Sequence, residues 1–551
     1  MTPLDELRAA VGEAAAALRP REQGSTVARA APALERPKRE GFGDYSTNAA
    51  MLLAAVLGEP PRTIAERLGN ELAGRLGEAL TRFEVAGPGF LNLVLADEWY
   101  RAALAGVLGA GAGFGGGGAG PASERILIEF VSANPTGPVT AASGRHAAYG
   151  DALGRLLSFH GHAVQREYYV NDFGTQVRKL GESIRARARG EQVPEDGYQG
   201  AYVAELAREI PGAAEAELDA LAARGVELMV GRIRATLHAF GLDFDNWFSE
   251  RSVHLGEPSP VARAYAELEG HDALYRSEGA LWLRTTRWGD DKDRVLERSS
   301  GEHTYFASDI AYHEHKRERG FDRLIDVWGA DHHGYVPRMK AAFQALGGDP
   351  EELEILIMQM VNVLERGERS AMSKRRGDFV TLDELAADIG VDAARFFLLS
   401  RSHDTTLDLD LDQAREQGSE NPVYYVQYAH ARIASMLARA GEERVRAARK
   451  ELGEGTAPVD AALEPAERTL VKKLLAFPED VAEAVARRAV HRIAGYALEL
   501  AQDFTAFYRD CRVVGAEPRE LESFRIALCL ATRDTIARAL DLLGVSAPEA
   551  M

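Results

Sequence analysis

The chain has 551 residues, 46% hydrophobic and 27% charged, a balance that excludes a disordered or collagen-like polymer and leaves room for several domains. Its 65 Lys and Arg stand against 84 Asp and Glu, a formal net charge of −19, so any nucleic-acid surface has to be a local patch. The two cysteines, Cys511 and Cys529, show neither metal-ligand spacing nor a disulfide framework, which fits a reducing cytoplasm. The acid-bearing amino terminus and the absence of a long apolar run argue against secretion and membrane insertion.

In chain order, residues 2–19 and 63–80 have helical periodicity and PGFLNLVLA at 88–96 alternates as a strand does, which predicts a small α+β domain over 1–108. GAGAGFGGGGAG at 109–120 reads as a linker, taken as 109–123, because so many glycines destabilise a helix or strand interior. RILIEFV at 125–131, the turn-former NPTGP and a helix over about 143–159 stopping at Gly161 open an α/β nucleotide-binding unit. A mostly helical insertion is expected over about 177–300, with ALWLRT at 280–285 as a strand. The α/β pattern then resumes with LIDVWG at 324–329, a helix near 336–346 and the buried run ILIMQMVNVL at 355–364, completing a domain over 124–420. From 421 to 551 only helical periodicity remains, predicting a bundle; residues 422–551 carry 18 basic and 19 acidic side chains, so this end approaches a polyanion most easily.

Four constellations carry chemistry. The first is the strand exit from Glu129 through Ser132 and Asn134 to Pro135-Thr136-Gly137, leading into a helix whose N-terminus suits a phosphate. In the second, Tyr305 and Asp309 share a helix face, presenting a phenol and a carboxylate to one small ligand, a guanidinium or an amine. The third, Gly329-Ala330-Asp331-His332-His333, follows a parallel strand, where ligands of open α/β sheets bind; without further zinc-spaced ligands it points to nucleotide contact and to no resident metal. The fourth, Met372-Ser373-Lys374-Arg375-Arg376-Gly377, is a cationic loop suited to neutralising a triphosphate. Tyr424 and Tyr428 sit at i and i+4, and basic patches stand at 444–450, 472–473 and 487–488.

With EYYVNDFGTQV at 167–177, GALWLRTTRWGDDKDRVL at 279–296, NPVYYVQYAHAR at 421–432 and LDLLGVSAP at 540–548, these motifs resemble the arginyl-tRNA synthetases, class I aminoacyl-tRNA ligases, over nearly the whole chain. The resemblance implies a Rossmann-type parallel-sheet catalytic domain, a small α+β N-terminal domain meeting the tRNA D-loop through Phe90 and Asn92, and an all-α anticodon-binding bundle. It implies ATP-dependent activation of L-arginine and transfer to the 3′ end of arginine tRNA, with Mg2+ riding on the triphosphate, by a monomer. Arginine would meet Glu129, Ser132, Asn134, Tyr305, Asp309 and His333. ATP would meet Pro135, Thr136, Gly137, Ser143, His146, Gly329, Asp331, His332, Met372 and Lys374, with Lys374, Ser373, Thr140 and Ser143 in catalysis; Tyr424 and Tyr428 would meet tRNA. Two positions depart from the family. Thr140-Ala141-Ala142-Ser143 replaces the His-x-Gly-His tetrad, with His146 one turn on as a candidate substitute, and Ala371 replaces the leading basic residue of the cationic loop. On the first departure rests the alternative of a catalytically weak paralogue that binds tRNA or arginine as a regulatory module.

Overall fold

The computed structural model describes residues 3–19, 32–37, 41–369, 380–453 and 462–551. Met372, Ser373 and Lys374 therefore lie outside the described residues. Among the described residues no helix is long and apolar enough to cross a membrane.

The amino-terminal unit is a four-stranded antiparallel sheet in the order Leu34–Glu35, Tyr45–Thr47, Phe90–Leu95, Leu80–Ala86. Helices Pro3–Ala17, Ala49–Leu57 and Pro61–Leu76 contribute to the same core, and the alternation of Leu91, Leu93 and Leu95 sends one face of the inner strand into it. The glycine-rich segment behaves differently from a free linker. Phe114 is buried beside Phe477, and the backbone N–H groups of Gly117 and Ala119 donate to Phe159 and His160 at 2.9 and 2.8 Å. A Cβ on Gly115 would lie 2.5 Å from the Phe477 ring, so glycine is there for close packing as well as for freedom.

The central unit is a five-stranded all-parallel sheet. Its elements are β1 (Arg125–Glu129), α1 (Ala141–His160), β2 (Ala163–Val170), β3 (Asn246–Ser249), α2 (Tyr305–Glu318), β4 (Arg323–Gly329), α3 (Val336–Ala345) and β5 (Leu353–Met358). The spatial order β5-β4-β1-β2-β3 reverses direction between β1 and β4, and the crevice beyond their carboxyl ends is where such sheets bind ligands. Register aligns Asp326, Glu129, Glu167 and Asn246 in one row across β4, β1, β2 and β3.

Two expectations are corrected here. The span 177–300 is helical in Thr175–Ala188, Ala201–Glu209, Leu218–Ala239 and Pro260–Gly270, but it also supplies β3 to the main sheet and a separate antiparallel sheet of Leu274–Ser277, Ala280–Leu283 and Arg294–Glu297. The apolar run 355–364 is two strands, because the chain breaks at Gln359 and Met360: β5 stays in the core while Val361–Glu365 joins Leu407–Asp410 in another sheet.

Beyond this stand the helices Pro422–Ala440, Glu442–Gly453, Pro465–Leu475, Phe477–Ala486, His491–Asp510 and Arg519–Leu543, packed against α1 and against Asp97–Ala110. Arg395, fully buried, ties the two regions together by donating to Asp151, to the Phe240 carbonyl at 3.1 Å and to the Leu543 carbonyl at 3.0 Å. The basic patches are largely consumed in such contacts. Lys472 pairs with Asp44, Lys473 with Glu499, Arg488 with Glu354 and Arg444 with Glu522, so these cations fasten elements together before they meet any polyanion.

Candidate active site

Directly past β1 the backbone of Val131 and Ser132 turns to positive φ, 67° and 38°, a conformation costly for side-chain-bearing residues and especially for a β-branched one. The turn folds Ser132 back so that its hydroxyl donates to Glu129 Oε1 at 2.8 Å and accepts from the Tyr169 N–H at 3.1 Å. Glu129 is buried, and its other oxygen accepts from Lys316 Nζ at 2.6 Å. Lys316 also donates to Asp326 at 2.7 Å, and His313 Nε2 meets the second Asp326 oxygen at 2.7 Å. His313 Nδ1 faces the Asp309 carbonyl at 2.7 Å, so both of its ring nitrogens lie against oxygens. Burial alone would raise the Asp326 carboxyl, but Lys316 and His313 outweigh it and hold the group at about 2. In the same row Glu167 accepts from Arg319, Tyr312 and Asn246. Sequence reasoning found Glu129 but missed this cationic layer.

Above that row lies a second, uncompensated acidic group. Tyr305 opens α2 and is 63% exposed; Asp309, one turn on, accepts a 2.5 Å hydrogen bond from the Tyr335 hydroxyl. Glu250, immediately after β3, is buried, and its carboxylate makes no hydrogen bond or ion pair with any described residue. Burial, then the charges of Asp309 and Asp172, push it up to about 8. Asp172 is tied to the Ser249 hydroxyl at 2.6 Å and the Arg251 N–H at 2.9 Å. Tyr169, buried, has a hydroxyl with no hydrogen-bond partner, and it feels the charges of Glu250, Asp309, Glu129 and Asp172. A buried phenol without a partner among these four carboxylates lacks a cation and a hydrogen-bonding ligand. Glu250, Tyr169, Asp172 and Tyr335 were not anticipated. The aromatic cluster Phe244, Trp247 and Phe248 around β3 was the available signal for Glu250, masked by the helical look of its surroundings.

The nucleotide side is more enclosed. Asn134 donates to Gln176 at 2.9 Å, while Pro135, Thr136 and Gly137 are buried, with the Tyr202 hydroxyl donating to the Thr136 carbonyl at 2.7 Å. Thr140 is the N-cap of α1: its hydroxyl oxygen accepts from the Ser143 N–H at 3.2 Å and lies 3.1 Å from the Ser143 hydroxyl. The two hydroxyls thus begin by serving the helix. His146 has its ring buried against the Val327 backbone, with Nδ1 unpartnered, and burial lowers its pKa to about 4. A neutral ring offers a phosphate a hydrogen bond and no charge. Gly329 ends β4, and Asp331, His332 and His333 stand exposed on the short turn that follows. Val380 and Thr381, the first residues described after the cationic loop, pair with Ala141 and Thr140, and Arg145, buried in α1, donates to the carbonyls of Gln359, Ser402 and Thr405. The start of α1 and the chain that follows the cationic loop are thus in contact.

The proposed tRNA contacts divide. Phe90 is partly exposed, but Asn92 is 4% exposed inside the amino-terminal sheet, which corrects its expected role as a surface ligand. Tyr424 and Tyr428 stack with centroids 6.3 Å apart at 9°, and Arg432 lies over Tyr428 and Tyr508. Beside them opens a cleft of about 690 Å³ lined by Tyr428, Arg432, Arg439, Tyr508 and Arg512.

A doubly wound parallel sheet with a crevice at its switch point is the architecture of class I tRNA synthetases, and residues 252–435 match the catalytic domain of the arginine-type members of that class. Residues 5–95 match the arginyl tRNA synthetase N terminal domain and 426–551 the DALR anticodon binding domain. The arginine–tRNA ligase of Desulfosudis oleivorans is 45% identical over 96% of this chain and 97% of its own length; that of Geobacillus thermodenitrificans is 43% identical over 99% and 98%. The Thermus thermophilus arginyl-tRNA synthetase structure superposes with a TM-score of 0.75 at 25% identity, over 99% of this chain and all of that one. The chain belongs to the arginine–tRNA ligase family, and its activity is the ligation of arginine to tRNA; the regulatory-module alternative is not favoured.

Proposed function

We propose that L-arginine enters with its guanidinium among Asp309, Glu250 and the Tyr169 hydroxyl, and its α-ammonium toward Glu129, Ser132 and Asn134. The observation that carries this is the unpartnered Tyr169 hydroxyl beside Glu250, a buried carboxylate whose charged neighbours are all acidic. A planar fork fills such a site with several parallel hydrogen bonds, whereas a lysine ammonium cannot bridge them and a neutral side chain leaves the charge unpaired.

ATP would lie across the crevice between β1 and β4, with Gly329 allowing close approach and the α1 N-terminus, Thr140 and Ser143 facing the phosphates. An arginine carboxylate oxygen attacks the α-phosphorus, the bond to the pyrophosphate oxygen breaks, and arginyl-adenylate forms. Lys374 would neutralise the charge gathering on pyrophosphate. Among the described residues no three His, Cys, Asp or Glu converge as a metal cage, so Mg2+ would be held chiefly by the triphosphate and water, supplying charge neutralisation there. Phe90 and the Tyr424–Tyr428 cleft would take tRNA, at its elbow and at its anticodon.

The test is arginine charging of tRNA by the purified protein, with Lys374→Ala as control. Charging lost in Lys374→Ala supports this arrangement. Wild-type charging that is unaffected by Lys374→Ala, or that survives Asp309→Ala with an unchanged KM for arginine, refutes it.

A further inference from the structure

We infer that Lys316 is a positioning residue for the substrate: it holds the Glu129 carboxylate charged and turned toward the crevice, where Glu129 takes the α-ammonium of arginine. The inference deepens the placement of arginine proposed above and rests on it. Lys316 Nζ lies 2.6 Å from Glu129 Oε2, 2.7 Å from Asp326 Oδ1 and 4.3 Å from the centroid of the Tyr312 ring. Tyr312 is itself pinned, its hydroxyl donating to Glu167 Oε1 at 2.8 Å. An ammonium with two carboxylates and a ring face around it is fixed from three sides. Glu129 is tethered at both oxygens, Oε2 by Lys316 and Oε1 by the Ser132 hydroxyl at 2.8 Å, and that hydroxyl is held in turn by the Tyr169 N–H.

Exposure separates Glu129 from the rest of its charge layer. The side chains of Lys316, Asp326 and Glu167 are fully buried and that of His313 nearly so, whereas Glu129 keeps 10% of its side chain exposed and is the layer's outlet to the crevice. Stability alone gives no reason for the arrangement, because apolar side chains of similar volume commonly match a buried ion pair. The charge of Glu129 does give one. Burial raises its carboxyl above the ordinary value and Asp326 adds to that, while Lys316, by charge and by hydrogen bond, is the chief group opposing them. Without Lys316 the carboxyl keeps its proton, and a neutral acid is a poorer partner for an ammonium than a carboxylate is. Lys316 follows Asp309 by two turns on the same face of α2. That face serves both ends of the substrate, Asp309 directly at the guanidinium and Lys316 through Glu129 at the ammonium.

Titration calorimetry tests this by comparing L-arginine with δ-guanidinovalerate, the same molecule without its α-amino group. The proteins are wild type, Lys316→Met/Asp326→Asn, Glu129→Gln and all three substitutions combined; the double variant removes Lys316 together with an anion it would otherwise strand. The wild type should prefer arginine by about tenfold to a hundredfold, the range of a hydrogen bond to a charged group. The double variant should lose most of that preference while binding the analogue within about twofold of the wild type, and adding Glu129→Gln should remove nothing further, because the two residues act as one. Lys316→Arg, which keeps a cation, should keep the preference and Lys316→Gln should lose it; this pair carries the test if the double variant does not fold. A full preference in the double variant or in Lys316→Gln, equal weakening of both ligands, or losses that add with Glu129→Gln overturn the inference. A wild type that does not prefer arginine to the analogue, or a Glu129→Gln variant that still does, refutes instead the placement of the α-ammonium at Glu129.

Discussion

Glu250 offers the sharpest quantitative test of the pocket. Its carboxyl is pushed up to about 8, first by burial and then by Asp309 and Asp172, so at pH 7 the free site holds roughly ten protonated molecules for each ionised one. A bound guanidinium favours the ionised form, and binding therefore expels that proton. Relative to an alkaline plateau, the Kd for arginine should be about tenfold weaker at pH 7, roughly 1.4 kcal/mol, and weaken about tenfold again by pH 6. Stability carries the matching sign. The folded pKa lies above that of the unfolded chain, so the contribution of the protonated group is fully present below about pH 4.3 and is lost as pH rises through 8 in the ligand-free protein. Arginine should offset that loss, so its thermal stabilisation should grow across the same window. Titration calorimetry in buffers of different ionisation enthalpy should show release of about 0.9 proton per arginine at pH 7. Glu250→Gln should remove both the proton release and the Kd slope. A flat Kd from pH 6.5 to 8.5 with no proton release would refute the assignment of the guanidinium to this carboxylate.

Other consequences follow from the same contacts. Lys316→Met leaves Glu129 and Asp326 buried without their shared cation and should cost about 3–5 kcal/mol in denaturant unfolding, with part recovered when Asp326→Asn is added; a loss below about 1 kcal/mol would contradict the charge layer. Arg395→Met should loosen the C-terminal helices from the sheet by a similar amount, seen as earlier proteolysis between them, whereas unchanged protease resistance would deny the fastening role. In pyrophosphate exchange, Ser143→His should raise the rate by restoring a charge-assisted phosphate contact, while His146→Ala should change it less than about threefold because a neutral ring contributes little; a large loss in His146→Ala would reverse that ranking.

What the sequence disclosed depended on how far away the deciding partner lies. The strand, turn and helix at 125–160 were legible because hydrophobic period, NPTGP and Gly161 are local signals, and Tyr305 with Asp309 because i and i+4 always share a face. Lys316 was not: in EHKRERG it has the look of a solvated cation, and its partner Glu129 is 187 residues away, brought near only by the register of β1 against β4. The glycine-rich stretch misled for the same reason, since the Phe477 ring that requires glycine there comes from a distant helix. Asn92 reads as a polar strand residue facing solvent, yet its second face is covered as well. The four-residue β3 is too short to announce itself by period, and Glu250 was lost with it.

The separation of the two acidic layers is itself an argument about specificity. Asp326, Glu129 and Glu167 lie in register across the sheet and meet Lys316, His313 and Arg319, basic side chains set in the second half of α2 and just beyond it. Asp309 stands nearer the start of the same helix, seven residues before Lys316, or about 10 Å along the axis. Between them Tyr312 turns its hydroxyl to Glu167 and spends no charge on the pocket. A lysine at 312 would offer Glu250 and Asp309 an internal counter-ion and compete with the substrate for them. Keeping Lys316 two turns back leaves Glu250 without a neighbouring cation, and its raised pKa expresses the cost of burying it. A ligand that brings its own delocalised, fork-shaped cation removes it, and so arginine is selected by a charge the helix withholds.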